Sequence, residues 1–102
     1  MFLHIGARRD LRDTVDYYDG QRIGLGTEVS AEVFAALDEI AKRPGFYPKH
    51  DRGDAQVCVL KRFPYSIIFR ETEDAIWILA IAHHSRDDYW ARRKPTNGSV
   101  GR

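Results

Sequence analysis

KRFPYSIIFRETEDAIWILAIAH, residues 61–83, is the stretch that decides the fold. Tyr65, Ile67 and Phe69 alternate with Ser66, Ile68 and Arg70, the period of two that belongs to a β-strand. Glu71 to Asp74 is a polar turn, and Ala75 to His83 is almost continuously apolar. A strand with that composition is covered on both faces. The pair predicts an antiparallel hairpin, 65–71 against 75–83, with Gln56 to Arg62 as a further strand before Phe63-Pro64.

Upstream of Gly53 the period changes to that of a helix. Val29, Val33, Leu37 and Ile40 fall at i, i+4, i+8 and i+11, an apolar stripe. Thr27 is the expected N-cap of this helix, Lys42 and Arg43 suit its C-terminal dipole, and Pro44-Gly45 stops it. Leu11, Val15 and Tyr18, interleaved with Asp10, Asp13, Asp16 and Asp19, predict an earlier helix from about Ala7 to Arg22. The short Gly-Leu-Gly link at 24–26 joins the two as an antiparallel hairpin. Phe2 to Ile5 reads as an edge strand, and Ala91 to Lys94 as a short helix ended by Pro95. The order is β-α-α-β-β-β with a short C-terminal helix, helices segregated from an antiparallel sheet: the α+β class. Residues 1–102 read as one domain, with 94–102 as a flexible tail.

Composition narrows the function. The net charge of +1 is too small for a nonspecific nucleic-acid binder, although residues 86–102 are locally basic through Arg86, Arg92, Arg93, Lys94 and Arg102. One cysteine, Cys58, permits no internal disulfide and fits a reducing compartment. The longest strongly apolar run, Ala75 to Ala82, is far short of a membrane span, so a soluble cytoplasmic protein is expected. His83 and His84 are adjacent on a strand and point apart, which argues against a metal site, and Gly-Leu-Gly follows a helix, which argues against a phosphate loop. No cofactor is expected.

Five segments resemble the RelE/ParE superfamily, the plasmid-stabilisation toxins of type II toxin–antitoxin modules. They are Tyr17-Tyr18, Gly24-Leu25-Gly26, Ile40 to Pro44, Lys61 to Phe69, and Ile78 to His83 continued by Ser85-Arg86-Asp87 and Tyr89-Trp90. The resemblance spans roughly residues 4 to 94 and is closer to the ParE-like branch. It implies a helical hairpin packed on a small antiparallel sheet and a toxin neutralised by a cognate antitoxin. By analogy the target is DNA gyrase, with no membrane partner and no sequence-specific DNA binding without the antitoxin.

The other branch, RelE-like, is implied to cleave messenger RNA on the ribosome. Such cleavage needs an acid, a base and cationic stabilisation of the transition state. Val57 and Val59 stand where the resemblance implies lysines, Ser66 where it implies an arginine, and His83-His84 replaces Lys-Arg. The residues left for a ribonuclease would be Arg70, His84, Arg86 and Tyr89. The residues expected to touch a target are His84, Arg86, Tyr89, Trp90, Arg92 and Arg93. His83, Tyr89 and Trp90 also have plain structural readings, as a strand-ending hydrogen-bonder and as anchors of the chain end. The alternatives to a gyrase-type inhibitor are therefore the ribosome-dependent endoribonuclease and a non-toxic, degenerate interaction module.

Overall fold

The computed structural model describes residues 1–51, 54–86 and 88–95. The elements run β1 (Phe2–Leu3), α1 (Ile5–Gln21), α2 (Leu25–Lys42), a 3-10 turn (Pro44–Phe46), β2 (Gln56–Val59), β3 (Tyr65–Glu71) and β4 (Ile76–His83). The four strands form one sheet in the order β1-β4-β3-β2. The α1–α2 hairpin covers one face, and the expected α+β architecture stands.

The face toward the helices carries Val29, Val33, Leu37 and Ile40 of α2 against Ile67, Phe69, Ile78 and Ile81. The opposite face buries Ile68, Leu79, Ala80 and Ala82 beneath Trp90 and Ala55. Both faces of β3 and β4 are thus dry, the physical reason that Ala75 to Ala82 has no polar alternation. The pairing steps at Phe69: Ile68 faces Ala80 whereas Phe69 faces Ile78, so Leu79 is an extra residue on β4. That β-bulge places Leu79 and Ala80 together in the outer cluster.

Several sequence expectations need correction. The first strand lies at the edge but pairs parallel with β4, so the sheet is not wholly antiparallel. It ends at Leu3, and α1 begins at Ile5, because the buried His4 caps the helix: its Nδ1 accepts from Gly6 N at 2.9 Å. The second helix starts at Leu25 rather than after Thr27, with Gly24 as the N-cap in the left-handed region at φ 91°, a conformation that favours glycine. β2 stops at Val59, three residues early. The N–H groups of Lys61 and Arg62 turn instead to Glu32 Oε2, at 2.7 and 3.2 Å. Ala91 and Arg92 form a turn and Arg93 and Lys94 are irregular, with no helix there. Of the predicted tail, Thr96 onward lies outside the described residues, as do Asp87, Arg52 and Gly53. Among the described residues no helix is long and apolar enough to cross a membrane.

His4 makes the cap titratable. Burial holds its pKa below the ordinary 6.5, and the Arg93 guanidinium pushes in the same direction, against a smaller opposing pull from Asp10. The unfolded chain therefore binds a proton more readily than the folded one, and stability contributed by neutral His4 is present above pH 6.5 and lost as pH falls below it. Chemical denaturation between pH 5 and 8 should show the midpoint falling on the acid side, with a flatter profile in His4→Asn; parallel profiles for the two proteins would remove His4 as the cause.

Candidate functional site

Three open clefts meet at the end of the sheet where β3 begins and β4 ends. The smallest, about 200 Å³, runs between α1 and β4 and is lined by Asp13, Tyr17, Tyr65, His83 and Arg86 among others. The second, about 540 Å³, passes between the end of α1 and Pro64 and again includes His83 and Arg86. The third, about 350 Å³, lies on the outer face with Ser66, His84 and Trp90, and it too includes His83 and Arg86. His83 and Arg86 are thus the ridge shared by all three.

Local structure fixes both side chains. Tyr65 and His83 are register partners on β3 and β4, and their rings meet edge to face at 5.0 Å. The Ser85 backbone N–H points at His83 Nδ1 at 3.0 Å, with Ser85 Oγ at 2.7 Å. A backbone donor makes Nδ1 the acceptor, so neutral His83 carries its proton on Nε2. Arg86 is exposed and lays its guanidinium over the Tyr89 ring at 4.1 Å, a cation–π contact. His84 is exposed on the outer side, with Nε2 at 3.0 Å from the Oγ of Ser66.

The remaining site residues divide sharply. Tyr89 donates from its hydroxyl to Asp10 Oδ2 at 3.0 Å and lies 3.2 Å from the Ile81 carbonyl. Burial, then Asp10, pushes its pKa well above the usual tyrosine value, so the phenol stays protonated and cannot act as a base near neutral pH. Trp90 is buried against the outer face and is an anchor. Arg93 is tied to Asp10 at 2.8 Å, with side chains 19% and 10% exposed, and also donates to the Leu79 carbonyl at 2.8 Å. Asp10 Oδ2 further accepts from Ile81 N at 3.1 Å. Arg92 is exposed and makes no ion pair among the described residues. Arg70 lies at the other end of β3, beyond Tyr65 by roughly 17 Å of strand. The four-residue ribonuclease set is therefore not brought together: His84, Arg86 and Tyr89 cluster at one end, and Arg70 is at the other.

Sequence reasoning missed Asp10 and the Ser66–His84 pair. Asp10 is one of four acids interleaved with the apolar positions of α1, but steps of three residues rotate about 60° short of a full turn, so Asp10 and Asp19 lie on opposite faces of α1. Asp10 turns to β4, while Asp19 Oδ1 accepts from Gly26 N at 2.7 Å and ties α1 to α2. Cys58 is buried, which pushes its thiol pKa up and leaves no thiolate for chemistry. Among the described residues no group of three or more His, Cys, Asp or Glu side chains could hold a metal ion.

The molecule is thus a helical hairpin on a four-stranded sheet, ending in a cationic and aromatic ridge. A chain of the structure described as the chromosomal ParDE TA system from P. aeruginosa has the same fold, with a TM-score of 0.73 at 18% identity over 79% of this chain and 90% of that one. No curated protein matches the sequence. The family model described as ParE toxin of type II toxin-antitoxin system, parDE, matches residues 2–88, and the chain belongs to that family.

Proposed function

We propose that this toxin acts by surface contact on an essential target such as DNA gyrase, through the His83–Arg86 end, and is held silent by a cognate antitoxin. The observation that carries the reading is the ridge itself. His83 and Arg86 line all three clefts, and Tyr17, Tyr65 and Tyr89 surround them. Exposed arginine beside tyrosine is the composition of an interface hot spot. Support for contact without cleavage comes from what the ridge lacks. Val57 and Val59 supply no cation, and Tyr89 is locked protonated into the fold. For the antitoxin, the exposed Phe34, Phe46 and Val59, 52%, 70% and 60% accessible, offer an apolar surface on the side of α2 and β2 that a folding-upon-binding segment would cover.

The ribonuclease reading retains one observation in its favour: Asp13, His83 and Arg86 share a cleft. Induced expression with parallel assays of plasmid supercoiling and of transcript ends by primer extension separates the two. Intact messages with altered supercoiling are expected, with His84→Ala retaining most growth inhibition and Arg86→Glu or Arg92→Glu reducing it at least tenfold. Discrete cuts in translated messages, lost in His83→Ala or His84→Ala, would replace inhibition by contact with cleavage.

A further inference from the structure

The charges of α1 run against its dipole. Its exposed cations, Arg8, Arg9 and Arg12, stand in the first half and its exposed acids, Asp13, Asp16 and Asp19, in the second, with no acid in the first turn and no base in the last. A helix is positive at its N-terminal end, so the reverse order is the stabilising one. Arg9 with Asp13 and Arg12 with Asp16 are i, i+4 neighbours in the weaker order, cation first, and neither forms an ion pair. The three arginines fall within about 6 Å of helix axis and an arc of about 100°. The chain end meets them there. Arg93 is packed against Gly6 and bonded to Asp10 at 2.8 Å, which lays the exposed Arg92 and Lys94 beside the first turns of α1. Among the described residues, none of these five cations has a carboxylate partner.

The geometry points to a docking surface for the phosphate backbone of a nucleic-acid duplex, formed by Arg8, Arg9 and Arg12 with Arg92 and Lys94 beside them. Guanidinium groups match phosphate in shape and charge. An anion laid over the three arginines also removes their conflict with the dipole, which the free protein leaves standing. The acidic half of α1 repels the same anion, so the backbone crosses the helix near its start and does not run along it. Along α1 the first exposed aromatic after the patch is Tyr17, five positions beyond Arg12. A single strand binds through aromatic platforms for its bases, and an acidic peptide through buried apolar anchors. A duplex hides its bases and offers phosphate. Such contact is independent of sequence, because every base pair carries the same backbone. The whole-chain charge of +1 sums segregated regions and does not describe this one. The inference goes beyond the toxin reading and depends on neither the target nor the antitoxin. Arg92 is the one residue shared with the proposed target contact, so the test varies α1 alone.

The test is fluorescence anisotropy of the full chain with labelled DNA and RNA duplexes, a labelled single strand and a polyglutamate competitor, between about 50 and 200 mM KCl. With three to five phosphates neutralised, duplex affinity should fall about 40-fold to 500-fold across that range. Arg8→Ala/Arg9→Ala/Arg12→Ala should bind at least tenfold more weakly at the lower salt, with a salt slope smaller by about 2–3. Arg22→Ala, at the far end of α1, should change neither. The triple variant should melt no lower than the parent, because its three arginines oppose the dipole. No saturable binding of either duplex, equal losses in Arg22→Ala, tighter binding of the single strand or of polyglutamate, or a destabilised triple variant would each overturn the assignment. Whichever duplex binds more tightly, the phosphate reading stands and the comparison names its source.

Discussion

Replacing Arg93 by alanine is expected to lower stability by about 3–5 kcal/mol, the cost of leaving one partner of a buried ion pair alone. Asp10→Ala should do at least as much damage, because Asp10 also accepts from Ile81 N and from the Tyr89 hydroxyl. For a domain of this length about 3 kcal/mol corresponds to a fall in Tm of ~12 °C or more. Gly6 gives an independent route to the same defect. A Cβ placed there would overlap the Arg93 guanidinium, so Gly6→Ala should expel Arg93 and reproduce the loss. Because the three positions share one interaction, the double variant Asp10→Ala/Arg93→Ala should lose clearly less than the sum of its singles. Urea denaturation of the set decides the matter; single losses below about 1 kcal/mol, or strict additivity, would show that the pair contributes little. The same result bears on function. Reversing Arg92 and Arg93 together cannot report a target contact, since Arg93 reversal attacks the fold, whereas exposed Arg92 alone can.

Gly26 is the second position where a single atom should matter. A Cβ there would stand 2.6 Å from the Val15 carbonyl oxygen, which is backbone of the facing helix and cannot swing away. The hairpin could accommodate it only by parting α1 from α2 and stretching the bond from Gly26 N to Asp19. Gly26→Ala should cost about 1–3 kcal/mol and Gly26→Val more, with helical content largely kept and cooperativity reduced. Gly24→Ala should act differently. It has open space around it and suffers only from its positive φ, so it strains one residue without moving a helix. Indistinguishable thermal melts for Gly26→Val and the parent would refute the close approach.

How far the sequence announces all this depends on whether a feature is periodic or singular. The apolar stripe of α2 and the alternation in β3 are repeated signals, and both elements lie where the pattern predicts. Element ends are singular events decided by partners elsewhere. His4 is an uncommon cap and works because β4 holds its backbone N on the Ile78 carbonyl at 2.8 Å. β2 ends where a glutamate from α2 captures the next two amides. A two-residue strand has no period, so neither its end nor its parallel direction was legible. At the candidate site, His84, Arg86 and Tyr89 lie at one end of the sheet, as their closeness in sequence requires. The hairpin of 65–71 against 75–83 sets Tyr65 opposite His83 and Arg70 toward the turn, so a set that includes Arg70 joins residues from opposite ends of the sheet.

The bond between Asp10 and Arg93 spans 83 positions of the chain, and the parallel pairing of Phe2 with Trp77 spans nearly as many. A ribosome emits the first helix long before either partner exists. At about 5–20 residues per second, several seconds pass in which α1 and α2 can form but the sheet that they cover cannot. The clasp between Asp10 and Arg93 therefore closes late, once residue 93 has cleared the exit tunnel, and a copy ending before that arginine lacks it.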